Sequence, residues 1–252
     1  MKQARVEDIY NILNDMAPFE TAEDFDNVGL LVGDKEQIVN NVLVALDLSD
    51  DTIEYALKIN AQLVVAHHPL MFSPIHSITM DSYEGRLIIK LIKNNISFIA
   101  AHTNMDKSPY SASWQLAKLL SLKNTSMVDE YIFVGDLPEP LSANELCLQL
   151  EKTLSQKVVL RGDEEHMIKR LAITGGSYSE GFYSAIDSGA EAYLTGELRH
   201  HHILEANSLG LVLFEGGHFE TEYPMVPNLT ECLQKDVNAL ELNVRVFSSR
   251  LS

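Results

Sequence analysis

Val6, Ile9, Tyr10, Leu13 and Met16 recur at three- and four-residue intervals, which predicts an amphipathic helix at the start of the chain. Beyond it the period changes. Short runs rich in Val, Ile and Leu, "NVLVALDL", "AQLVVAHH", "ISFIAAHT", "RLAIT", "AEAYLTGE" and "LVLFEGGH", are separated by longer stretches of helical period. That alternation predicts α/β architecture with largely buried strands. The polar stretch "SLKNTSMVDEYIFVGDLPEPLSANE" carries two prolines and divides the runs into two series. A lobe boundary is expected there, with residues 1–126 in lobe one and 127–215 in lobe two. The last run, "LELNVRVFSS", alternates like a strand that returns to lobe one, so that 216–252 complete it.

Composition narrows the class of molecule. At 252 residues and 46% hydrophobic content the chain can bury a sizeable core. The 36 acidic against 19 basic residues give a formal charge of −17, without a dense Lys/Arg cluster to neutralise phosphates, so direct nucleic-acid binding is not expected. The N-terminus lacks the apolar core of a secretory signal and no run approaches 18 apolar residues, which points to a cytoplasmic protein without a membrane anchor. Cys147 and Cys232 are the only cysteines and both sit in helix-like patterns. Any metal must therefore be held by His and carboxylate.

The histidines stand where such ligands would be useful. His67 and His68 end one strand-like run, His102 ends another in "AAHTNMD" with Asp106 four residues on, and His218 follows a third in "GGHFETE" with Glu222 four residues on. Ligands in open α/β sheets bind beyond the carboxyl ends of the strands. Taken singly, each His fits a hydrogen-bonded structural role, and each carboxylate a solvated helix position. Their coincidence at three strand ends suits a divalent ion, because imidazole with carboxylate fits Zn, Fe, Mn, Co or Ni better than Mg or Ca.

Alternation along an extended chain would turn His67 and His68 to opposite faces, and so to two different ions. A sharp turn at Pro69 would let both face a pocket holding two metals about 3.5–4 Å apart, with Asp106 or Glu222 bridging. His200, His201 and His202 lie on a predicted helix, where side chains 100° apart cannot all serve one site. Gly175-Gly176 reads as a tight turn, with a phosphate-binding backbone as the alternative.

In order and spacing, "DNVGLLVGD", "AHHPLMF", "AAHTNMD", "GAEAYLTGE" and "GGHFETE" resemble the GTP cyclohydrolase 1 type 2 homologue family, also called Nif-three-like dinuclear-metal proteins. The resemblance implies two interlinked α/β lobes with mixed sheets and a dinuclear metal site in the cleft between them. It implies two divalent ions per subunit, with His67, His68, Asp106, His218 and Glu222 at the family's ligand positions and Glu222 at the one that touches both ions. It also implies a homo-oligomer, commonly a toroidal hexamer built as a trimer of dimers. His102 and His201 match polar pocket positions, and either could shuttle a proton.

The chain has no room for the domain inserted in longer relatives. It departs from the family pattern at Tyr110-Ser111 and Ser113-Trp114, where a Gly-Gly turn to an Asn is usual, and at Tyr178, where a Gly is usual. These changes add bulk close to the expected cleft. The resemblance implies a metal-dependent hydrolase and, by the family's naming, a GTP cyclohydrolase that releases formate and forms dihydroneopterin triphosphate. A metal-binding protein without turnover, serving delivery, storage or scaffolding, is the alternative.

Overall fold

The opening helix spans Val6–Met16 and buries Val6, Ile9, Ile12, Leu13 and Met16 along one stripe, as its spacing predicts. The computed structural model to which it belongs describes residues 2–250. Two units are present: one runs from the N-terminal segment to Tyr110 and resumes at Val226, and the other is Ser111–Met225.

The first unit is built on a five-stranded sheet in the order Arg245–Ser248, Asn41–Ala45, Leu63–Ala66, Ser97–Ala100, Gly29–Val32. The first four strands are parallel and the fifth is antiparallel. The strand at 245–248 pairs with Asn41–Ala45 at one edge of this sheet. Parallel strands need crossovers, which the helices Asp50–Lys58 and Tyr83–Lys93 supply. Each begins at a serine that accepts a backbone N–H: Ser49 from Thr52 and Ser82 from Gly85. Leu43, Val64 and Phe98 of the sheet pack with Ile53, Leu87 and Leu91 of the helices, all buried. Each such side chain contributes about 1.5–3 kcal/mol of burial.

Register positions what lies beyond these strands. Ala45 pairs with Ala66, and Ala66 with Ala100, so three neighbouring parallel strands end level. The residues that follow, Asp47, His67 and His102, emerge side by side.

The second unit has a six-stranded mixed sheet in the order Lys123–Val128, Ile132–Ser142, Met167–Ile173, Ala192–Thr195, Val212–Glu215, Val159–Arg161. The three strands at 167–173, 192–195 and 212–215 are parallel, and the flanking ones antiparallel. One apolar layer gathers Leu116, Leu146, Leu150 and Phe214, and another Phe182, Tyr193 and Leu213.

The units divide near 110 and 225, where composition suggested 126 and 215. The polar stretch at 121–145 is not a linker but a strand pair, Lys123–Val128 with Ile132–Ser142, capped by Ser142 at the head of the helix Ala143–Leu154. Ile132, Phe133 and Val134 are buried while the tail with Pro138 and Pro140 is exposed, which gave it a loop-like composition. Leu116 and Ala117 of the preceding helix also join the second unit's core.

Candidate metal centre

In the first unit, His67, His68 and His102 offer ring nitrogens that all lie within 4.8 Å of one another. The ring centroids form a triangle of 5.0, 5.0 and 5.6 Å. His67 and His68 do not part to opposite faces, because the extended ladder stops at Ala66 and the chain bends before the buried Pro69. Their rings come to lie side by side.

Each imidazole is held through Nδ1 by an oxygen acceptor. His67 Nδ1 donates to the Ala101 carbonyl at 2.9 Å, His68 Nδ1 to Asp47 Oδ1 at 2.8 Å, and His102 Nδ1 to the Asp26 carboxylate at 3.0 Å. A carbonyl or carboxylate can only accept, so the proton of each neutral ring sits on Nδ1. Nε2 is then the basic nitrogen of all three. This is the arrangement that orients and strengthens metal-binding histidines, with the far nitrogen tied down and the near one aimed inward. His67 Nε2 faces Asp106 Oδ1 at 3.6 Å, which adds a carboxylate oxygen to the set.

Asp26 is the deepest of the supporting groups, its side chain fully shielded from solvent. Burial alone would raise its pKa. The bonds from His102 and from the Thr103 hydroxyl and backbone N–H outweigh that and hold it well below the ordinary carboxylate range. It is therefore an anion at neutral pH and a firm anchor for His102. The charge of Asp26 and the dipole of Ala101 both favour a cation on the far side of the rings.

In the second unit, Gly216-Gly217 carries the chain out of the strand Val212–Glu215 into the short helix His218–Glu222. Gly217 adopts φ 87°, open to glycine and strained for other residues. The i,i+4 spacing places His218 Nε2 3.2 Å from Glu222 Oε2. Glu197, just beyond the neighbouring strand, approaches His218 Nδ1 at 3.6 Å. Glu222 is buried, and Gly176 packs against its carboxylate with φ 70°, so closely that a Cβ there would overlap it.

The Gly175-Gly176 turn is no phosphate cradle. Its N–H groups donate to Ser113 Oγ at 3.1 Å and Thr221 Oγ1 at 3.0 Å. His201 is exposed in the first turn of the helix His200–Ser208 and, among the described residues, belongs to no group of three potential ligands. Its neighbour His202 is buried, its Nδ1 2.8 Å from Ser179 Oγ. The residues that depart from the family pattern do structural work: Ser111 caps the helix Ala112–Leu119, Trp114 packs on Phe133 at 4.9 Å, and Tyr178 donates to Asp129.

Asp26, Asp47 and Glu197 were not singled out from the sequence. Asp47 and Glu197 follow buried strands, as the histidines do, so the same rule applied to carboxylates would have found them. Asp26 follows no strand.

Imidazoles held through Nδ1 by oxygen acceptors, with a carboxylate oxygen beside them, are a donor set that fits a divalent transition ion. The model of the Duf34/NIF3 (NGG1p interacting factor 3) family matches residues 4–252. A GTP cyclohydrolase 1 type 2 homolog of Clostridium acetobutylicum is 32% identical over 98% of this chain and 96% of its own. One from Clostridium perfringens is 33% identical over 93% of each chain. The crystal structure of a hypothetical protein from Staphylococcus aureus superposes with a TM-score of 0.94 at 28% identity, covering 99% of this chain and 97% of its own.

Proposed function

The chain belongs to the Duf34/NIF3 family, and from that premise we propose that it is a metal-dependent hydrolase whose centre holds two divalent ions. His67, His68 and Asp106 of the first unit and His218 and Glu222 of the second are the residues that would hold them. The observation that carries it is the threefold commitment of Nδ1 to Ala101, Asp47 and Asp26, which leaves Nε2 as the basic atom of each ring in the triad. A hydrogen-bonded structural histidine has no need of two like neighbours within 5–6 Å.

Divalent ions bound there would supply Lewis acidity and a water acidic enough to attack at neutral pH. The chain's own residues provide the rest. Asp47 and Asp26 fix ring orientation, and His102, paired with a carboxylate that stays ionised, is placed to hold and pass a proton. His201 is the second candidate for that role in the proposal. The names of the relatives suggest GTP as substrate, opened with release of formate to dihydroneopterin triphosphate. Assembly into a ring-shaped homohexamer belongs to the same proposal.

One observation favours a second reading. The N–H groups of the Gly175-Gly176 turn are already taken by Ser113 and Thr221, and the chain carries net charge −17, so a triphosphate finds no welcome at that turn. A metal-delivery or storage protein needs no such cradle.

The experiment is metal-reconstituted protein incubated with GTP, followed by formate assay and pterin fluorescence, with His68→Ala as control. The hydrolase reading expects both products from the wild-type protein and neither from the variant. Product absent with every one of Zn, Fe, Mn, Co and Ni overturns it in favour of delivery or storage. Unchanged metal content in His68→Ala overturns the ligand assignment.

A further inference from the structure

Three parallel strands of the second unit end nearly level, as three do in the first. Ile173 pairs with Leu194 and Leu194 with Phe214, and within two residues of each strand's end stands a glycine: Gly175-Gly176, Gly196 and Gly216-Gly217. All three loops close on one residue, Thr221. It is wholly buried, and a Cβ on Gly196 would stand 2.9 Å from its hydroxyl oxygen, one on Gly216 2.9 Å from its methyl. Ordinary contact begins at about 3.5 Å, so only glycine lets these loops come so near.

The Thr221 hydroxyl is fully engaged. Its oxygen accepts from the Gly176 N–H at 3.0 Å, and its proton lies between the Gly217 carbonyl at 2.7 Å and the His218 carbonyl at 3.1 Å. A helical threonine often bonds back to the carbonyl four residues earlier. Here the same oxygen also holds a turn that follows a different strand. That turn is gripped on its other side, where the Gly176 carbonyl accepts from the Gly196 N–H at 2.6 Å and from Thr195 Oγ1 at 3.0 Å. It is also the turn against which the Glu222 carboxylate packs. Thr221 therefore fixes two things at once: the start of the helix His218–Glu222, through Gly217 and His218, and the wall behind Glu222, through Gly176.

We infer that Thr221 is the positioning residue of the second unit's ligand pair, its hydroxyl setting where His218 Nε2 and Glu222 Oε2 stand to meet at 3.2 Å. The inference rests on the metal reading, because ion binding is what that position serves. Polar side chains that hold ligands without touching the ion change its affinity by about 10–100-fold. A threonine that only stabilised the fold would act through its methyl on Gly216 as much as through its hydroxyl. Substitution separates the two.

The test is zinc titration of the full chain against a chromophoric chelator, on wild-type protein, Thr221→Val, Thr221→Ser and His218→Ala, alongside thermal melting of the metal-free proteins. Valine keeps the methyl and drops the hydroxyl, and serine does the reverse. Thr221→Val is expected to bind at least about tenfold more weakly the ion that His218→Ala loses, and to hold the other as wild type does. Thr221→Ser is expected to hold both within about threefold of wild type, although it melts lower, having opened a gap beside Gly216. Should Thr221→Val not fold, Thr221→Ala against Thr221→Ser gives the same contrast of one hydroxyl.

Affinity that follows melting temperature through the series, or Thr221→Val binding both ions as tightly as wild type, overturns the inference and leaves the metal reading standing. Wild-type protein that takes up no zinc, or His218→Ala that takes up as much as wild type, overturns the metal reading, and the role of Thr221 falls with it.

Discussion

His68 and Asp47 meet Nδ1 to Oδ1 at 2.8 Å, across the ends of two parallel strands paired in register. The carboxylate lies on the Nδ1 side of the ring, away from Nε2. It fixes the tautomer and plane of the ring, and its charge makes Nε2 a better donor. Asp47→Asn removes the charge and keeps the shape. The variant is expected to fold with an unchanged melting temperature within about 2 °C, and to bind its ions about 10–100-fold more weakly. Metal titration by competition with a chromophoric chelator reads this. Equal affinity would show that Asp47 is only a surface partner.

The strand ends carrying His67, His102 and His218 were legible because a buried strand must be apolar, so a polar residue directly after one stands out. The triad itself was not legible, because it depends on Ala45, Ala66 and Ala100 lying level, and register between distant strands leaves no local trace. Alternation misled for His67 and His68 for a related reason: the rule holds only while the ladder continues, and it stops one residue earlier. The stretch at 121–145 misled because its buried segment, Ile132 to Gly135, is short and lies between polar ones: Lys123 and Asn124 on the exposed edge strand and Glu139 near an exposed strand end look like loop.

Asp26 gives the acid side of the stability profile. Its pKa is lowered in the folded chain, so the stabilisation it brings is full above the ordinary carboxylate value of about 3.9 and fades as pH falls below that toward the folded value. Asp26→Asn never has this anion to lose. In metal-free protein the variant is expected to be less stable than wild type at pH 7, with the gap narrowing below about pH 4. Urea midpoints at pH 7, 4 and 3 measure it. A gap that stays constant with pH would remove the carboxylate from the account.

Gly176 tests the support of Glu222. Its φ of 70° disfavours any side chain, and its carbonyl accepts from Gly196 N–H at 2.6 Å and Thr195 Oγ1 at 3.0 Å, so the turn cannot back away from the carboxylate. Gly176→Ala is expected to cost about 1–3 kcal/mol of stability and to push Glu222 from its place. Thermal melting and ion stoichiometry, read together, distinguish strain alone from loss of a ligand. A variant that melts lower yet keeps its full ion content would leave Glu222 outside the centre.

Tyr193 gives the alkaline side of the stability profile its test in the second unit. It is wholly buried, and its hydroxyl donates to the Tyr178 carbonyl at 2.7 Å. Burial pushes its pKa far above the usual value of 10.0, because a phenolate there would be stripped of water. A folded pKa above the unfolded one means the neutral form is favoured on folding. The stabilisation is complete below about pH 10 and is lost as pH climbs from there toward the folded value. Tyr193→Phe removes the titrating group along with the hydrogen bond. At pH 7 the variant is expected to lose about 1–2 kcal/mol, since the Tyr178 carbonyl gives up its partner. Above pH 10 its stability is expected to fall less steeply than that of the wild type, so the two unfolding midpoints converge. Parallel slopes from pH 9 to 11 would mean that Tyr193 does not govern alkaline unfolding and that another buried group does.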